Sequence, residues 1–150
     1  MELKDDVLAA CKGIVAAKVR NARELRLARL EKAVGESVHI LDTCNELTRN
    51  SDYSYRCAPI DGGYEVTYSG ESISGTIRIV DSDRDTHETK PKDGNVLLSV
   101  LCRAHSCQTR SFYNGAIPEK DIIGFIRYAT RGPTLNDRLR RMAGRYQGDF

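Results

Sequence analysis

No run in this 150-residue chain approaches the ~18 consecutive apolar residues that a membrane-spanning helix needs. Its opening, MELKDDVLAACKG, lacks a basic stretch followed by an apolar core, so no signal peptide is expected and the cytoplasm is the expected compartment. The chain also lacks the phosphate-binding G-x-x-x-x-G-K loop, the G-x-G-x-x-G turn, G-x-S-x-G and H-E-x-x-H. Motif support is therefore missing for nucleotide hydrolysis, dinucleotide binding, serine hydrolysis and zinc proteolysis. The reading leans away from an enzyme, and no cofactor is expected. Five cysteines, at 11, 44, 57, 102 and 107, match no common disulfide framework. In a reducing compartment they are expected as free thiols packed like small apolar groups.

What is present suits one folded domain over 1–150, with 29% charged and 40% apolar residues. The net charge is only +2, but it is unevenly spread. Residues 1–11 sum to −2, residues 12–35 to +5, residues 36–121 to −5 and residues 122–150 to +4.

Residues 3–34 have no proline and a single glycine, Gly13, among strong helix formers. Val7, Leu8, Cys11, Ile14, Val15, Val19, Ala22 and Leu25 fall on one helical stripe. Leu27, Leu30, Val34, Val38 and Leu41 share a second stripe, rotated by about a third of a turn at 3.6 residues per turn. The two halves thus face different partners. Gly35 is read as an interruption, with a second helix over 36–48.

The next segment alternates with a period of two. Asp61-Gly62 is a strong two-residue hairpin loop that pairs Tyr55 with Tyr68 and Cys57 with Val66. Gly70-Glu71 reads as a second such loop, pairing Tyr68 with Ile73, Val66 with Gly75 and Tyr64 with Ile77. Both loops gather one apolar face from Tyr53, Tyr55, Cys57, Tyr64, Val66, Tyr68, Ile73, Ile77 and Ile79. Arg56, Glu65, Thr67, Ser74, Thr76 and Arg78 point the other way. Pro59 marks the first strand as an edge. Residues 81–94 read as a long exposed polar loop. A buried strand over 95–101 returns through a short loop at Ala104-His105, pairing Cys102 with Cys107. Pro118 opens a helix to about Thr130. Thr134 and Asp137 form a capping box for a last helix, whose apolar stripe is Leu135, Leu139, Met142, Ala143 and Tyr146. The expected fold is α+β: helical over 2–48 as two helices, a five-stranded antiparallel sheet over about 53–113, and two helices over 117–147.

Three features could carry function. Cys102, His105 and Cys107 are the one local cluster of soft ligands, but C-x2-H-x-C supplies three of the four ligands a structural zinc needs. A strained cross-strand disulfide and a catalytic Cys–His pair are weaker alternatives. The favoured reading is two core-facing cysteines near a turn, with His105 exposed. Asp81, Asp83 and Asp85 begin like a calcium loop and then fail, because Thr86 stands at the glycine position and Lys92 at the bidentate glutamate position. His87 and Glu88 add weak ligand candidates there.

The third feature is arginine. Arg20, Arg23, Arg26 and Arg29 form a ridge on the first helix, with Lys12, Lys18 and Lys32 nearby; Arg138, Arg140, Arg141 and Arg145 crowd the last helix. Guanidinium forks suit phosphates, and several neutralised together give salt-dependent binding. The expected function is a small binding or regulatory protein that contacts nucleic acid or a nucleoprotein through these helices. Its size fits a phage or mobile-element regulator or inhibitor of a host system. It is expected to self-associate, as a homodimer, through Val7, Cys11, Ile14, Val15 and Ala22. The alternatives are a protein–protein adaptor or assembly factor that uses the helical stripe, and a metal- or thiol-dependent enzyme built on Cys102, His105 and Cys107.

Overall fold

A computed structural model describes residues 3–49, 52–85, 91 and 95–148, the last five of these as backbone alone. One helix, α1 (Leu3–Thr48), leads into a five-stranded antiparallel meander: β1 (Tyr53–Ile60), β2 (Gly63–Gly70), β3 (Ser74–Asp81), β4 (Leu98–Ala104) and β5 (Cys107–Tyr113). A short 3-10 turn, Ser82–Arg84, follows β3. Helices α2 (Glu119–Ala129) and α3 (Leu135–Gly148) close the chain. The mixed α+β class and the meander agree with the sequence, and Pro59 lies on the edge strand β1.

The N-terminal region differs from expectation, because α1 continues through Gly35 without a break. Glycine in a helix costs about 1 kcal/mol relative to alanine. Against this, Leu30, Ala33, Ser37, Leu41 and Cys44 are buried on one stripe that spans the glycine. Packing on both sides of Gly35 holds it helical. The buried stripe also differs from the expected one: Val34 and Val38 are half-buried and Leu27 is exposed.

The sheet buries the expected face. Tyr53, Val66, Tyr68, Ile77 and Ile79 lie in the core, and Tyr55, Cys57, Tyr64 and Ile73 pack against it. Asp61-Gly62 is the two-residue loop, with Gly62 at φ 76°, and Tyr55 faces Tyr68 as expected. The next two hairpins are each displaced by two residues. Tyr68 pairs with Gly75, not Ile73, and Tyr64 with Ile79, not Ile77. Cys102 pairs with Thr109, and Cys107 with Ala104, around a His105-Ser106 loop. The first of these turns is longer than the sequence suggests, spanning Gly70 to Ile73 with a Gly70 N–H to Ile73 C=O bond of 3.0 Å. A shift of two residues preserves the side-chain face, so the core face is the expected one although the register is not.

Helices α1 and α2 cover the inner face. The Tyr68 hydroxyl donates to Asn45 Oδ1 of α1 at 2.6 Å, and the Ile117 N–H to Ser37 Oγ at 2.9 Å. Gly75 lies directly under the Ala129 carbonyl of α2, where a Cβ would collide with backbone. Arg26 pins α1 to the end of β3, with Nη1 at 3.1 Å from Asp81 and 3.3 Å from Asp83. No described residue of α1 before Arg26 is buried, even in part.

Candidate nucleic-acid interface

The outer face of the sheet is the one turned away from α1 and α2. Register fixes what stands on it. Arg56, Thr67, Thr76, Arg103 and Gln108 form one cross-strand row. Ala58, Glu65, Arg78, Leu101 and Arg110 form the next. Together with Arg84 from the 3-10 turn, Arg78, Arg103 and Arg110 line an open concavity of about 550 Å³ whose floor includes Ile60, Val80 and Leu101.

These guanidiniums are positioned by local partners. Arg78 meets Glu65 at 2.8 Å, Arg84 meets Asp61 at 2.5 Å, and Arg103 Nε donates to Gln108 Oε1 at 3.2 Å. Arg110 meets Asp85 at 2.5 Å, and Ser99 donates to the same carboxylate at 2.5 Å. The Asp85 side chain is only 7% exposed, so this pair is part of the architecture. Arg78 and Arg84 keep about half of their side-chain surface in water, at 49% and 51%. A guanidinium carries five N–H donors, and one or two are used here. The pairing therefore orients the forks and leaves some of their donors without a partner among the described residues.

The arginines expected on the helices divide into two groups. Arg20 and Arg23 are exposed on the free half of α1. Arg26 is bound to Asp81, Asp83, Ser82 and the Val96 carbonyl, and Arg29 donates to the Asn114 carbonyl at 3.4 Å. The four-residue ridge is thus half anchor. Arg138 and Arg141 are exposed on α3, Arg140 donates to Cys107 Sγ at 3.1 Å, and Arg145 lies outside the described side chains.

The hairpin tip separates its three candidate ligands. Cys102 is fully buried, 3.4 Å from the Phe125 carbonyl, and burial pushes its thiol up to about 12. His105 is not simply exposed: it adopts φ 55°, its Nε2 lies 3.1 Å from the Arg131 carbonyl, and its Nδ1 is buried with no partner among the described residues. Cys107 turns to Asp137 Oδ1 at 3.1 Å. Among the described residues no three His, Cys, Asp or Glu side chains converge as a metal site.

The acids at 81–85 are occupied as well. Asp81 caps the 3-10 turn and meets Arg26, and Asp85 is buried by Arg110, so this end of the expected solvated loop is folded onto the sheet. His87 and Glu88 lie outside the described residues.

Asp137 is the most heavily bonded group that motif reading understated. Its capping box is present, with the Thr134 N–H at 2.8 Å from Oδ2 and the Asp137 N–H at 3.2 Å from the Thr134 hydroxyl. Arg131 at 2.8 Å, Ser106 at 3.0 Å and Cys107 complete its shell. The Arg131 guanidinium, then the Thr134 amide and the Cys107 thiol, hold this carboxyl well below the usual carboxylate range. The cluster ties α3 to the β4–β5 tip. Comparison with known proteins finds no matching family, no matching curated protein and no matching solved structure.

Proposed function

We propose that this chain is a non-catalytic binding protein for nucleic acid or a nucleoprotein, and that the outer sheet face is its main phosphate-binding surface. The observation that carries the reading is the convergence of Arg78, Arg84, Arg103 and Arg110 around one open concavity on the face that the helices leave free. The hydroxyls of Thr67 and Thr76 stand in the Arg103 row and add neutral donors. Arg20, Arg23, Arg138 and Arg141 extend the basic surface onto α1 and α3. This moves the centre of the expected site from the helices to the sheet.

Binding of labelled duplex DNA, single-stranded DNA and RNA at two salt concentrations tests the reading. Affinity should fall steeply with salt, and the preferred form identifies the substrate class. On duplex DNA, removing one phosphate-neutralising side chain lowers the log–log salt slope by about 0.9. Arg78→Ala with Arg103→Ala should therefore reduce the slope by about two and weaken binding to every sequence alike. An equal loss from Arg138→Ala with Arg141→Ala, and none from the sheet pair, would return the site to the helices. No binding at low salt would sink the reading. The adaptor alternative would then stand, supported by the apolar stripe exposed along the first half of α1.

A further inference from the structure

Residues 3–25 of α1 extend about 34 Å at 1.5 Å per residue, and every one of them is exposed. Val7, Ile14, Val15 and Leu25 are 55–67% exposed, on one stripe of the helix. The stripe lies about a quarter turn away from the face that α1 buries after Arg26, taking 100° per residue. The head domain therefore does not cover it.

We infer that the occupant of this stripe is the same stripe of a second copy, running antiparallel. Charge decides the direction. Asp5 and Asp6 lie at one end of the free segment, and Arg20 and Arg23 at the other. A parallel pair would set acid beside acid, base beside base, and Lys18, which lies within the stripe, against its own copy. An antiparallel pair centred between Ile14 and Val15 brings Asp5 close to the level of the second copy's Arg23. It also sets Lys18 against the second copy's Cys11, where the parallel pair would oppose two lysines. There the lysine stem can pack while its ammonium reaches water. In antiparallel pairs matching flanks face each other, and Asp5 and Arg23 share one flank, being five turns apart at 3.6 residues per turn.

At a helix diameter of about 10 Å, a seam about 34 Å long has a footprint of roughly 340 Å², below the about 800 Å² per partner typical of stable interfaces. The pair is accordingly reversible, and it is independent of whether the sheet binds phosphate.

The 150-residue chain should sediment as a dimer at tens of micromolar and dissociate on dilution. Ile14→Asp should raise the dissociation constant at least 100-fold while leaving the melting transition of the head unchanged, since Ile14 touches nothing of the head in the monomer. Asp5→Arg should weaken the pair, and Asp5→Arg combined with Arg23→Asp should restore it. Orientation is read by mild oxidation. In the antiparallel register the two Cys11 residues are offset by about 10 Å along the axis, at 1.5 Å per residue, beyond disulfide reach. Cys11→Ser with Val15→Cys, near the centre, should cross-link instead. A monomer at every concentration, or efficient Cys11–Cys11 linkage in the unaltered chain, would overturn the inference.

Discussion

Asp137 shows how a single carboxylate can join two elements. It takes donors from Arg131, Thr134, Ser106 and Cys107, which holds it ionised in the folded state. Because its folded value lies below its unfolded one, its contribution to stability is full above about pH 5 and is lost as pH falls below about 4. The melting temperature should drop more between pH 5 and pH 3 in the unaltered chain than in Asp137→Asn. Parallel curves would remove Asp137 from the acid response. Gly75 makes a steric claim of the same kind: Gly75→Ala should cost about 2–3 kcal/mol in urea unfolding, because its Cβ would meet the Ala129 carbonyl. The thiols should divide by environment. Cys11 is exposed and should react at once with a thiol reagent at neutral pH, whereas buried Cys102 and Cys44 should react only on unfolding. At this scale the Thr134–Asp137 box is legible in the sequence because its partners lie three residues apart. Arg131 and Cys107 are not, because their approach depends on where a distant hairpin ends.

The elements are legible to the extent that their period is local. Strand faces come through because side chains alternate every two residues, and an error of two in a turn leaves that alternation intact. Turn length does not come through: Gly70-Glu71 looks like a complete loop, yet the chain continues to Ile73 before pairing. The helix shows the reverse problem. Gly35 has a local cost and no local compensation, and only the buried stripe on either side of it, packed against the sheet and α2, accounts for its staying helical. Nothing lies within 4 Å of a Cβ placed at Gly35. Gly35→Ala should therefore stabilise the chain by about 0.5–1 kcal/mol. If instead it destabilises, α1 is bent there in solution. Deleting residues 1–22 should leave the melting temperature of the head within a few degrees, since none of the described residues in that segment is buried.

For the whole molecule, the alternation of charge blocks along the chain is legible, but its folding in space is not. The acidic middle reads as unfavourable for a polyanion. In three dimensions several of its carboxylates pair within the head: Glu65 with Arg78, Asp61 with Arg84, Asp81 with Arg26, and Asp85 with Arg110. Alternation alone puts Arg56, Glu65 and Arg78 on the outward face. Arg103 and Arg110 join them only once β4 and β5 have a register. The unbroken course of α1 has a metrical consequence for such a surface. A continuous helix is a ruler: it fixes both the distance and the rotation between whatever holds its first half and the head on its second. In the antiparallel pair the two Arg26 anchors stand about 34 Å apart along the axis, at 1.5 Å per residue. One turn of B-form DNA is about 34–36 Å. On the proposed readings, heads anchored at a spacing close to that pitch would hold a duplex of two turns more tightly than one of a single turn.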